Sequence, residues 1–206
     1  MDIRINPGRL MECLKNLRSF GAKDTGVVRT TFSPPDIESR HWLRKQFEKA
    51  NLDAQIDGVG NVFGFTRNSG RRLLIGSHSD TQITGGWLDG ALGVVYGLEV
   101  ARALSEHADS ASLPLDIVSW ADEESSYLGM LGSRSFCDLV SPEEIESAVG
   151  KDGRTLKQAL SEAEFDQSPV IRCEPEKYLG YLEAHIVQGP FLEKQQLNVG
   201  VVTGIV

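Results

Sequence analysis

Two short apolar segments that run directly into ionisable side chains constrain this chain more than any other feature. Arg72-Leu73-Leu74-Ile75 leads into Gly76-Ser77-His78-Ser79-Asp80-Thr81, and Leu115-Asp116-Ile117-Val118-Ser119 leads into Trp120-Ala121-Asp122-Glu123-Glu124. Runs of this length and character read as buried strands. Open α/β sheets hold their ligands at the carboxyl ends of such strands. The pattern therefore predicts an α/β fold with His78, Asp80, Glu123 and Glu124 at one sheet edge. His78 and Asp80 are two residues apart, on the same side of an extended chain. The imidazole can then take a cation while the carboxylate fixes its tautomer. In the following run, Gly85-Gly86-Trp87-Leu88-Asp89-Gly90, Asp89 brings a further carboxylate to the same place.

Each piece has a bland alternative. A lone His-x-Asp is usually a satisfied surface or core pair, and an isolated Asp-Glu-Glu is usually a solvated turn. His185, within the strand-like run Tyr181-Leu182-Glu183-Ala184-His185-Ile186-Val187-Gln188-Gly189-Pro190, would by itself read as structural. Together the three clusters supply imidazole and carboxylate donors that suit zinc, manganese or cobalt without choosing among them. Adjacent carboxylates can also divide the work of hydrolysis. One binds metal, and the other takes a proton from water and passes it to a departing nitrogen.

The periodicity places these motifs in an α/β layer. Leu10, Leu14 and Leu17 recur at helical spacing, and Pro34-Pro35 opens a second helix with Leu43 and Phe47 on one face. Val62, Phe63 and Phe65 predict a strand after Gly58 and Gly60. Between Gly90 and Leu104, the residues Leu92, Val95, Tyr96, Val100, Ala103 and Leu104 predict a helix packed on the sheet, with Asp89 at its amino-terminal entry. Residues 141–173 are polar and read as short surface helices. His41 lies among charged residues and His107 near a Ser-rich loop, so both read as surface histidines. Trp87 reads as packing or as a pocket wall.

Composition bounds the function without naming it. A chain of 206 residues that is 40% hydrophobic can bury a single-domain core. A formal charge of −8, with scattered basic residues, argues against nonspecific nucleic-acid binding. Cys13, Cys137 and Cys173 are odd in number and widely spaced, which predicts free thiols. The amino terminus is polar and no apolar run approaches ~20 residues, so a membrane span is not expected and a cytoplasmic location is.

Four stretches in order, Gly76 to Thr81, Gly85 to Gly93, Glu123 through Gly132-Ser133-Arg134-Ser135-Phe136, and His185 through Gln188-Gly189-Pro190, resemble one family. It is the hydantoinase/carbamoylase group of the binuclear-zinc aminoacylase and carboxypeptidase superfamily. The group includes N-carbamoyl-L-amino-acid amidohydrolases, allantoate amidohydrolases and β-ureidopropionases. Asn6, Thr31-Phe32-Ser33-Pro34 and Asp57-Gly58-Val59-Gly60-Asn61-Val62-Phe63-Gly64 extend the likeness over essentially the whole chain.

The resemblance implies a zinc-peptidase-like catalytic domain with a mixed, mostly parallel sheet flanked by helices. It implies two divalent ions (zinc, manganese or cobalt) bridged by Asp89, with His78 and His185 completing one site and Glu124 contributing to the other. Glu123 becomes the general base, Asp80 orients His78, and Gln188 contacts substrate. A histidine at position 185 resembles the ureido-hydrolysing members; the peptidase relatives usually place a carboxylate there. The implied substrate is a small ureido compound or N-carbamoyl amino acid, and complete relatives are expected to be homodimers. A dipeptidase or N-acyl-amino-acid deacylase is the alternative within the superfamily, and a non-catalytic metal- or partner-binding fragment the alternative outside it.

Val187 stands where the family usually carries an acidic residue, and Ser125 where it usually carries glycine. Both departures bear on pocket shape more than on the ligand set. The resemblance also implies that residues 1–198 are the amino-terminal part of the catalytic domain. Residues 199–206 then read as a strand leading toward an absent lid and dimerisation domain. The return segment that supplies a final histidine is expected to be missing too, so the chain should hold one metal better than two and turn over weakly or not at all. The apolar run around Val201 and Val202 is expected to favour self-association.

Overall fold

Proline and a side-chain cap set the first element. Pro7 opens helix α1 (Pro7–Ser19), and Asn6 caps it by accepting the Arg9 N–H. A two-stranded ribbon follows, β1 (Ala22–Lys23) and β2 (Gly26–Val27), before Pro34 opens helix α2 (Pro34–Lys49). The remaining elements in chain order are β3 (Asp53–Ile56), β4 (Val62–Phe65), β5 (Arg72–His78), α3 (Ala91–Glu106), β6 (Leu115–Trp120), α4 (Leu131–Phe136), α5 (Pro142–Ser147) and α6 (Leu156–Glu162). A 3₁₀ turn at Pro175–Lys177, strand β7 (Tyr178–Leu182) and helix α7 (Phe191–Lys194) complete the series. The structure, a computed structural model, describes residues 3–107 and 113–203.

The main sheet has the order β3-β4-β6-β5-β7. Strand β5 runs parallel to β6 and to β7, whereas β3 with β4 and β4 with β6 are antiparallel. The sheet is mixed, as expected, but parallel pairing holds two of its four junctions and not most of them. A tight turn makes the β3–β4 junction antiparallel. The Asp57 carboxylate accepts the N–H groups of Val59 and Asn61 and folds the chain back on itself.

Alternation along the strands divides the core. Val62, Ile75, Leu115 and Ile117 face α1, α2 and α3, where Leu14, Leu17, Leu43, Phe47, Val94 and Leu98 meet them. Phe63, Leu74, Val118 and Trp120 face the other way, onto Phe136 of α4. The stripe read on α3 holds at Val95 and Ala103, which are buried, but not at Tyr96. Ala91, Val94, Val95, Leu98 and Ala101 are buried, while Tyr96 is exposed, because α3 is gripped both by the sheet and by α1 through the Arg9–Glu99 ion pair. Residues 141–173 form the short helices expected, and α5 buries none of its residues, but α6 is not a surface helix. Leu156, Ala159, Leu160 and Phe165 build a separate buried cluster with Phe32, Val59 and Leu131. The capping boxes at Ser141 and Thr155 explain why the segment is polar yet helical.

One buried ion pair ties α2 to this framework. Arg40 donates from Nε to Asp36 at 2.7 Å and from Nη1 to the Gly60 carbonyl at 2.7 Å, and both side chains of the pair are fully buried. Removing one member strands the other charge in the interior. Asp36→Ala is therefore expected to lower stability by about 3–5 kcal/mol, measurable as a fall in the urea unfolding midpoint.

Strand β7 closes the sheet with little cover, as Leu179, Tyr181 and Leu182 are exposed. The strand expected around His185 ends earlier, at Leu182. Residues 199–203 form no strand, and Gly204 to Val206 of the apolar terminal run lie outside the described residues. Cys13, Cys137 and Cys173 are free. Among the described residues no helix is long and apolar enough to cross a membrane.

Candidate metal centre

Register creates the site. Strands β5 and β6 pair with His78 opposite Trp120, so the segments beyond them leave the sheet side by side. Asp80 joins the two. Its Oδ2 accepts the Glu124 N–H at 3.0 Å and the Thr31 hydroxyl at 3.0 Å, and its Oδ1 accepts the Glu123 N–H at 3.4 Å. Asp80 also faces His78, but the nearer partner of His78 Nδ1 is the Asp80 carbonyl, at 3.0 Å against 3.6 Å for the carboxylate. A carbonyl only accepts, so Nδ1 carries the hydrogen and Nε2 is left as a donor to a cation. His185 is arranged in the same way, with Nδ1 on the Ile186 carbonyl at 3.0 Å.

The two Nε2 atoms converge. His78 Nε2 lies 3.4 Å from His185 Nε2, and His185 Nε2 lies 3.4 Å from Asp89 Oδ1. Donors about 2.0–2.1 Å from a tetrahedral ion stand about 3.3 Å apart, so these separations fit one shared cation. Lone pairs facing each other at such a distance repel unless a cation or a shared proton lies between them. His78, Asp89 and His185 form one group able to hold a metal, and His78, Glu123 and Glu124 form a second. Glu124 thus gathers with Glu123 and His78. Among the described residues no such group contains both Asp89 and Glu124.

Two glycines make the convergence possible. Gly90 has φ +60°, and a Cβ there would sit 2.4 Å from Nε2 of His78. A Cβ on Gly93 would sit 2.2 Å from the Ala184 carbonyl, one residue before His185. Gly90→Ala is expected to displace the His78 ring and weaken zinc binding by roughly 10- to 100-fold, read by chelator competition.

Several neighbours were not legible in the sequence. Gln82 donates to Glu124 Oε2 at 2.5 Å, Ser77 to Glu183 at 2.6 Å, and Tyr181 to Glu183 at 2.9 Å. Gln188, which the resemblance implied as a substrate contact, donates to Asp89 Oδ2 at 2.9 Å, while His185 Nε2 lies beside Oδ1. His41 and His107 join neither group, and Trp87 packs beneath the Arg18 guanidinium at 5.6 Å.

Electrostatics follow from this crowding. Burial pulls the His78 imidazolium down, but its bond to Asp80 and the charges of Asp80 and Glu123 outweigh that and push it up to about 9. A proton on His78 competes with a cation. Metal affinity is therefore expected to rise about tenfold per pH unit up to about pH 9, testable by zinc titrations at several pH values. Burial, with the Asp80, Glu124 and Glu183 charges, raises Glu123 above the usual carboxylate range against the pull of His78. A half-buried carboxylate so raised, 3.6 Å from His78 Nε2, is suited to accept a proton.

Several known proteins are similar to this chain. Residues 61–160 match the model of peptidase family M28. A crystal structure of an amidase of the hydantoinase/carbamoylase family from Burkholderia phymatum superposes with a TM-score of 0.93 at 49% identity, covering 95% of this chain and 49% of that one. The N-carbamoyl-L-amino-acid amidohydrolase of Paenarthrobacter aurescens is 33% identical over 96% of this chain and 50% of its own length. The chain belongs to the hydantoinase/carbamoylase family. Allantoate deiminase of Arabidopsis thaliana, 32% identical over 88% of this chain and 36% of its own length, is also similar to it. The chain spans about half the length of the curated hydantoinase/carbamoylase relatives it matches. The family-model match spans His78, Asp89, Glu123 and Glu124, and His185 lies beyond it.

Proposed function

We propose that this chain supplies the metal-binding part of a hydrolase that cleaves linear carbamoyl or ureido C–N bonds, with N-carbamoyl-L-amino acids as the first substrate class and allantoate as the second. The convergence of His78 Nε2, His185 Nε2 and Asp89 Oδ1 at 3.4 Å separations carries this reading. The names of the similar amidohydrolases and allantoate deiminase support the bond type.

His78, Asp89 and His185 would hold a zinc, manganese or cobalt ion, with Glu124 beside Glu123 available to a second. When bound, such an ion polarises the scissile carbonyl and lowers the pKa of water. Glu123 takes the proton of the attacking water and delivers it to the departing nitrogen. Asp80 holds Glu123 and Glu124 by their backbone N–H groups, which fixes where that proton is received. Gln188 secures Asp89 and would offer its amide to a substrate there.

Metal analysis after purification, followed by assays with N-carbamoyl-L-amino acids, allantoate, N-acyl amino acids and dipeptides under each metal, tests the reading. Metal binding with turnover confined to the first two substrates supports it. Preference for acyl amino acids or dipeptides would transfer the chain to the deacylase or dipeptidase reading, and absence of metal binding would end both.

A further inference from the structure

Asp122 belongs to neither metal-holding group, yet it is fully buried at the base of the loop that carries Glu123 and Glu124. Its Oδ1 accepts the Ser126 N–H at 2.7 Å, and its Oδ2 accepts the Tyr127 and Leu128 N–H groups at 2.9 and 2.6 Å. The loop is thus closed onto the side chain that precedes it. Its backbone is left-handed at Asp122 (φ 53°) and Ser125 (φ 59°), a region that residues with a Cβ rarely adopt. Aspartate tolerates that region better than most residues, whereas serine at 125 has no such preference. Three hydrogen bonds to a carboxylate, stronger than neutral ones, can impose it.

The pattern of donors is complementary. Asp80 takes the N–H groups of Glu123 and Glu124, and Asp122 takes those of Ser126, Tyr127 and Leu128. Between them the two carboxylates fix the loop from both sides, which leaves the glutamate side chains free to face His78. The same loop places Ser126 and Tyr127 in the wall of a cavity of about 190 Å³ that Glu124, Gln82 and Thr31 also line. Ligands already held in place lose less freedom when a cation arrives, so a fixed loop binds more tightly than a mobile one.

We propose that Asp122 is a positioning residue that orders the 122–128 loop before metal binds and so sets where Glu123 and Glu124 stand. The inference rests on the metal-hydrolase reading. Asp122→Asn tests it in the full chain, since asparagine keeps the size but replaces one acceptor oxygen with a donor that faces N–H groups. Affinity for the zinc ion that Glu124 and Glu123 would face with His78, measured by chelator competition, is expected to fall roughly 10- to 100-fold, and the visible spectrum of the cobalt-loaded protein to change. Unchanged affinity and an unchanged cobalt spectrum in a folded variant would overturn the proposal, even if its unfolding midpoint drops.

A second measurement needs no variant. In metal-free protein, the amides of Ser126, Tyr127 and Leu128 are expected to exchange at least about a hundredfold more slowly than unstructured ones. If that protection appears only after zinc is added, the metal orders the loop and Asp122 does not. Failure of the unmodified chain to bind any metal would instead count against the hydrolase reading, and the exchange result would still judge the loop.

Discussion

Asp89→Ala should lose its metal and its activity together. Among the described residues Asp89 is the one carboxylate grouped with His185, and it lies just ahead of α3, outside the apolar cluster. Its removal leaves two imidazoles 3.4 Å apart without the carboxylate that meets His185. The expected loss of zinc affinity exceeds about 100-fold, more than the removal of a group outside the ligand set produces. Circular dichroism should show the fold retained, while metal analysis after dialysis shows an empty site. Stoichiometric metal in this variant would remove Asp89 from the ligand set and send the search to the group formed by His78, Glu123 and Glu124.

Glu123→Gln should separate binding from chemistry. Glutamine matches the shape of glutamate but cannot take a proton at neutral pH. Metal content is therefore expected to stay near that of the unmodified protein while turnover falls by roughly two to four powers of ten. Single-turnover rates at matched metal occupancy are the appropriate measurement, made on whichever assembly of this chain hydrolyses N-carbamoyl amino acids. The test has a real opposite outcome, since Glu123 Oε2 is only 3.6 Å from His78 Nε2. Metal loss in proportion to rate loss would make Glu123 a ligand instead of a base.

The paired expectations read differently against the fold. Helices α1 and α2 and strands β4, β5 and β6 were legible because each carries its own periodicity or its own proline. The α3 stripe was misjudged at Tyr96, since one helix with two packing partners has no single apolar face for the sequence to display. The cluster around Leu156, Ala159 and Phe165 was hidden by its acidic surroundings. Asp80 was recognised as a partner of His78, but its larger task, binding the Glu123 and Glu124 backbone, depends on a residue more than forty positions away. Asp122 carried no signal at all, because a carboxylate before two glutamates looks like one more charge in a solvated turn.

The sequence by itself determined which chemistry was available. Strands that end in His78 and in Glu123-Glu124, a loop that ends in Asp89, and a later histidine are local facts, and local residue types decide which atoms can bind metal or carry a proton. Only the tertiary structure decided which of those atoms meet. The parallel register of β5 and β6, the absence of a Cβ at Gly90 and Gly93, and the carbonyls that hold His78 and His185 by Nδ1 bring nitrogens 107 positions apart to 3.4 Å. That choice is long-range, since a ligand set is a matter of distance in space, and distance in space is fixed by packing between elements that no local pattern records.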